Sequence, residues 1–75
     1  MEELVKFIAE NLVEDVDAVE VKSRNNGRTT TVELSVADDD MGKVIGKQGR
    51  IAKAIRKVVK AAGMRQRKNV IVEII

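Results

Sequence analysis

The 75-residue chain has no cysteine, histidine, proline, tryptophan or tyrosine, and its only aromatic residue is Phe7. Without cysteine there is neither a disulfide nor a thiolate zinc site to support the fold. Without cysteine and histidine together, the commonest general bases, nucleophiles and metal ligands are gone. Ser23, Ser35 and the run Thr29-Thr30-Thr31 have no imidazole to activate them, and the lysines form no evident acid–base pair. Asp38-Asp39-Asp40 offers oxygen ligands for a hard cation, but consecutive residues of a strand end point to alternate sides. The chain therefore reads as a non-enzyme, with no cofactor, no metal and no small-molecule substrate.

Long apolar runs are also missing. None approaches the roughly 18 residues a membrane helix requires. The first residues, Met1-Glu2-Glu3-Leu4, are acidic where a secretion signal is basic. No membrane association is expected, and the chain should remain in the cytoplasm. No Gly/Ser linker, repeat or low-complexity tract divides the sequence, so residues 1–75 make one domain.

What the chain does have is charge, unevenly placed. Apolar residues make up 44% and charged residues 35%, a mixture that folds rather than staying disordered. Residues 1–40 hold four basic side chains against eleven acidic ones, a balance of −7. Residues 41–75 hold ten against one (Glu73), a balance of +9. Such a split points to a polyanion partner for the second half, or to an acidic helix that neutralises a basic one within the domain.

Periodicity places six main elements. Leu4, Val5, Ile8 and Leu12 form a helical stripe over about residues 2–14, with Glu2 and Glu3 in the first turn, where the helix dipole favours acids. Val19 and Val21 alternate with Glu20 and Lys22 in a short strand. Asn26-Gly27 is a hairpin signal, and Val32, Leu34 and Val36 form the returning strand. The three aspartates offer a cap for a short helix, Met41 to Ile45. After Gly46 and Gly49, a longer helix runs from about Arg50 to Ala62. Ile51, Ile55, Val58, Val59 and Ala62 occupy one face, and Gly63 is its expected stop. Val70 to Ile75 is the last strand. The fold class is α+β in the order α-β-β-α-α-β, a three-stranded mixed sheet with three helices on one face. Ile71 and Ile75 fall on the other face, as a partner surface or as scattered apolar residues.

Gly46-Lys47-Gln48-Gly49 opens the more basic helix. Glycines let backbone approach a ligand closely, and the free amides at a helix start suit a phosphate. Lys43, Lys47, Arg50 and Lys53 surround the corner with positive charge. A Walker A loop needs four residues before its Gly-Lys pair and a Ser or Thr after it, and neither requirement is met. The dinucleotide fingerprint lacks its first glycine pair. The competing reading is a helix–helix corner that merely needs glycine.

The run Gly42-Lys43-Val44-Ile45-Gly46-Lys47-Gln48-Gly49-Arg50, followed by Ala52-Lys53-Ala54-Ile55-Arg56, resembles KH domains of the second, prokaryotic topology. Across essentially all 75 residues the chain is similar to the small single-domain KH proteins of the KhpA family. One departure is Ala52, which stands where that signature carries a bulky aliphatic, with Ile51 one place earlier. The resemblance implies single-stranded RNA as ligand, its backbone clamped over about four nucleotides by Gly46, Lys47, Gln48 and Gly49. Lys43, Arg50 and Lys53 would add charge. Ile45 and Val36 would wall an apolar groove, or serve only as core. The segment from Gly63 to Asn69 matches the variable loop in position, so Arg65, Arg67 and Lys68 would close the groove or form a solvated turn. It further implies an RNA chaperone or post-transcriptional regulator with a KhpB-type RNA-binding partner and links to cell shape and cell-wall biogenesis, and such a domain can also form a homodimer. Modules that stack bases on aromatic side chains are excluded by composition, since Phe7 stands alone in the acidic helix. The alternative is a protein-interaction or scaffold domain using the basic helix or the open sheet face.

Overall fold

The computed structural model describes all 75 residues. Its order is α1 (Glu2–Glu10), β1 (Glu20–Asn26), β2 (Thr29–Ser35), α2 (Met41–Ile45), α3 (Arg50–Arg65) and β3 (Asn69–Ile74), with short 3-10 turns at 16–18, 38–40 and 47–49. The sheet order is β1-β2-β3, antiparallel between β1 and β2 and parallel between β2 and β3. The expected α+β architecture and its mixed sheet are therefore present.

Alternation sets the two faces of the sheet. Along β2, Thr30, Val32 and Leu34 are buried, while Thr31, Glu33 and Ser35 face outward beside Ile71 and Glu73 of β3. Arg24 and Glu33 pair on that open face at 3.4 Å. The inner face meets Val5 and Ala9 of α1, Val44 of α2, and Ile55 and Val59 of α3 in a single core. That core contains no aromatic residue and is mostly valine. Each fully buried branched side chain contributes about 1.5–3 kcal/mol relative to exposure.

Four local expectations are corrected. Helix α1 ends at Glu10 rather than Glu14, with Asn11 as its C-cap. The amides of Glu14 and Asp15 donate instead to the Asp40 carboxylate at 3.2 and 3.1 Å, a tie made 26 and 25 residues away. The aspartates accordingly make no side-chain cap on α2. Strand β1 extends to Asn26 because pairing with Thr29 carries its polar end, so the two-residue turn is Gly27-Arg28, not Asn26-Gly27. Gly27 has φ +67 and Arg28 does not share a positive φ, the pattern of a turn with glycine in its first central place. Finally, α3 runs through Gly63 to Arg65. Gly63 is buried because the helix lies against β3 there, where a Cβ would meet Val70 Cγ2 at 2.6 Å.

Candidate functional site

Helix α2 closes with the Gly46 amide donating to the Gly42 carbonyl at 2.8 Å, and the chain then turns sharply. Gly46 takes φ 76, ψ 174, a region essentially reserved for glycine. Gln48 (φ 58) and Gly49 (φ 74) follow in the left-handed region, and the Gly49 amide returns to the Gly46 carbonyl at 3.1 Å. Turns built from such conformations can leave neighbouring amides around one concavity, the general geometry of a backbone anion nest. It lies at the start of the sixteen-residue α3, whose N-terminus has no side-chain cap. Lys47, Gln48 and Arg50 are exposed around it.

The two glycines have different reasons. A Cβ on Gly46 would stand 2.5 Å from Ile51 Cγ1 and 2.8 Å from Ile51 Cβ, whereas one on Gly49 would meet nothing within 4 Å. Ile51 thus covers the turn from α3. Ala52, the departure from the signature, is buried on the core side of the helix with Ile55 and Val59. The bulky aliphatic is displaced by one place, onto the loop.

The structure brings some of the expected site residues together and parts others. Lys47, Gln48, Arg50 and Lys53 stand exposed on the loop and the first turn of α3. Ile45 is exposed beside them, but Val36 is only 7% exposed and belongs to the core. Lys43 has other partners, pairing with Glu14 at 2.9 Å and Asp40 at 3.4 Å. The hydrogen bond to Glu14 comes first among the causes that raise its pKa above the ordinary 10.5. Asp40 is 3% exposed. Its carboxyl is held below the ordinary 3.8 by the Asp15 amide first, then the Glu14 amide and Lys43, against the opposing effect of burial. Asp40 is thus a brace joining the end of α1 to the base of α2. Asp38 and Asp39 are exposed, and no group of three His, Cys, Asp or Glu side chains is placed to hold a metal ion.

Arg65, Arg67 and Lys68 are not at this corner. They lie at the other end of α3, which spans about 24 Å at 1.5 Å per residue. There the loop is stitched to the β1–β2 hairpin by the Asn69 amide, which donates to the Arg28 carbonyl at 2.9 Å. Of the ten basic side chains in residues 41–75, only Lys43 forms an ion pair, so the acidic half does not neutralise the basic half by direct pairing.

An apolar groove of about 470 Å³ between α1 and α3 had no counterpart among the sequence expectations. It includes Leu4, Phe7, Ile8, Ile51 and Val58. Phe7 is 65% and Val58 52% exposed, so Val58 is off the core stripe on which its spacing put it. The signal for it was an apolar stripe on each helix broader than one buried contact requires.

The mixed α-β-β-α-α-β sheet with a glycine-bounded turn between its second and third helices defines a KH domain. Residues 2–74 match the family model described as KhpA/KhpB, KH domain. The "RNA-binding protein KhpA" of Caldanaerobacter subterraneus subsp. tengcongensis is 60% identical over 75 residues, covering 100% of both chains. The protein of that name from Clostridium acetobutylicum is 53% identical over the full length of both. The one from Aquifex aeolicus is 40% identical over 100% of this chain and 95% of its own. Among solved structures, Aquifex aeolicus Era bound to GDP.AlF4- superposes with a TM-score of 0.67 at 22% identity, over 97% of this chain and 28% of that one. That likeness concerns the fold alone. The chain belongs to the KhpA/KhpB family of KH domains. No helix in it is long and apolar enough to cross a membrane.

Proposed function

We propose that the protein binds single-stranded RNA in the cytoplasm, holding the phosphate backbone on the Gly46–Gly49 turn. The observation that carries this reading is the turn with three positive-φ residues at the mouth of a sixteen-residue helix, in a chain segment whose cations are almost all outside ion pairs. Backbone amides supply the clamp, the helix dipole favours the phosphate, and Lys47, Arg50 and Lys53 add charge. Ile45 is the apolar neighbour offered to a base. Affinity from one such domain is modest and falls steeply with salt, because phosphate contacts displace counterions. The names of the full-length relatives support RNA as the ligand. The biological setting that fits is an RNA chaperone or post-transcriptional regulator acting with a KhpB-type partner, with effects on cell shape and cell-wall biogenesis downstream.

Lys47→Asp combined with Gln48→Asp should abolish binding of a short single-stranded RNA, read by fluorescence anisotropy, with the melting temperature nearly unchanged. Both side chains are exposed, so a fold defect is not expected. Retained affinity would sink the clamp.

The groove between α1 and α3 favours a second, compatible role in pairing with another copy of this chain. Its lining is apolar apart from Arg50, and α1 is rich in acids where α3 is rich in bases, so a twofold arrangement can set acid against base. Val58→Lys should then yield a smaller species in sedimentation; an unchanged mass disproves this role.

A further inference from the structure

The far end of α3 has a feature that the clamp does not use. Arg67 has φ 59, one of only two non-glycine residues with positive φ, the other being Gln48 in the clamp turn itself. It occupies the place after the helix cap where glycine is the ordinary choice. The surrounding bonds are those of a complete helix-ending motif, since the Lys68 amide donates to the Gly63 carbonyl at 2.9 Å and the Arg67 amide to the Met64 carbonyl at 3.0 Å. A charged side chain is therefore kept where the backbone favours none. Strain of this kind points towards function when it coincides with an exposed, chemically useful group.

The helix between the two strained turns is also one-sided. Arg50, Lys53, Lys57 and Lys60 recur at spacings of three and four along its exposed flank, and all are exposed. None is in an ion pair. A merely solvated helix face interleaves acids with bases, because like charges at these spacings repel. Here Glu73 is the only acid after Asp40. At the hairpin end, Lys68 lines a polar cleft with Glu2 and Glu3, whose charges turn a polyanion away. The favourable path is thus along the lysine flank to Arg65 and Arg67.

We infer that the RNA strand held at the clamp continues along this flank of α3 to a second phosphate contact at Arg65 and Arg67, so that the bound length exceeds the clamp alone. The inference rests on the clamp reading and extends it by about the 24 Å length of the helix. Two phosphate contacts on one strand act by effective concentration, so their gain appears only when the strand is long enough to reach both.

The test compares oligouridine of about five nucleotides, near the reach of one KH clamp, with oligouridine of about twelve. Anisotropy is read at several salt concentrations. The wild-type protein should bind the longer strand more tightly by about tenfold or more beyond the statistical gain from extra registers. The dependence of log affinity on log salt should also be steeper for the longer strand. The variant Lys57→Gln, Lys60→Gln, Arg65→Gln, Arg67→Gly keeps good helix formers on the helix and puts glycine where the motif prefers it, so it should fold. In that variant the length advantage should fall to the statistical value, and the salt slope on the longer strand should drop by about 0.7 for each cation that met a phosphate. An undiminished length advantage in the variant, or none in the wild type, would overturn the inference. The five-nucleotide strand with Lys47→Asp, Gln48→Asp reports on the clamp separately.

Discussion

The two ends of α3 solve the same backbone problem with different residues. At the N-terminal end, the chain reaches the helix through Gly46, Gln48 and Gly49, all at positive φ. At the C-terminal end it leaves through Arg67, also at positive φ, with no glycine at that turn. Glycine is required at the first end because Ile51 occupies the space of a Cβ at Gly46, whose φ is also positive. At the second end the chain keeps an exposed guanidinium at positive φ. In the proposed reading, one end recognises through amides and the other through side-chain charge. The bracing differs as well. Asp40 anchors the base of α2 to the segment after α1, whereas the Arg67 turn is held by the Asn69–Arg28 backbone bond.

Substitutions at single positions sharpen this contrast. Gly46→Ala carries the largest expected effect, since a glycine-only conformation and overpacking against Ile51 together destabilise by about 3 kcal/mol or more. Gly49→Ala should cost only about 1 kcal/mol, because its Cβ enters open space and only the left-handed φ is strained. Urea denaturation of both variants measures the difference, and equal losses would mean that Ile51 yields. Asp40→Asn should lower the melting temperature at neutral pH by weakening the brace. The Asp40 carboxyl titrates below its ordinary 3.8, so the stability it adds is present above that value. It is lost as pH falls from there through the lower folded-state pKa. The melting-temperature gap between wild type and Asp40→Asn should therefore close on acidification below 3.8, and a gap that persists in strong acid would place the effect elsewhere. Arg67→Gly should change least, raising stability by less than about 1 kcal/mol as left-handed strain is relieved.

Much of this molecule was legible along the chain. The six elements, the mixed sheet and the exposure of Ile71 and Ile75 on its open side follow from periodicity and from glycine placement. The Gly46–Gly49 turn was legible for the same local reason: glycine marks positive φ, and here two glycines bound it. Gln48 was not, because left-handed backbone at a non-glycine residue leaves no sequence mark. Gly63 misled for the opposite reason. Glycine marks a helix end and a close helix–strand contact alike, and only the position of Val70 tells them apart. Lys43 looked like one cation among many until its two carboxylate partners were in view.

The sequence by itself determined the class of fold, the charge asymmetry and the position of the glycine turn, since each depends on near neighbours or on composition. Tertiary structure decided which cations are free and which are committed, and that Val36 is core rather than groove wall. It also decided that Arg65 and Arg67 stand a helix length from the glycine turn. Each of these depends on groups that the chain separates and packing reunites, and no local pattern carries that information.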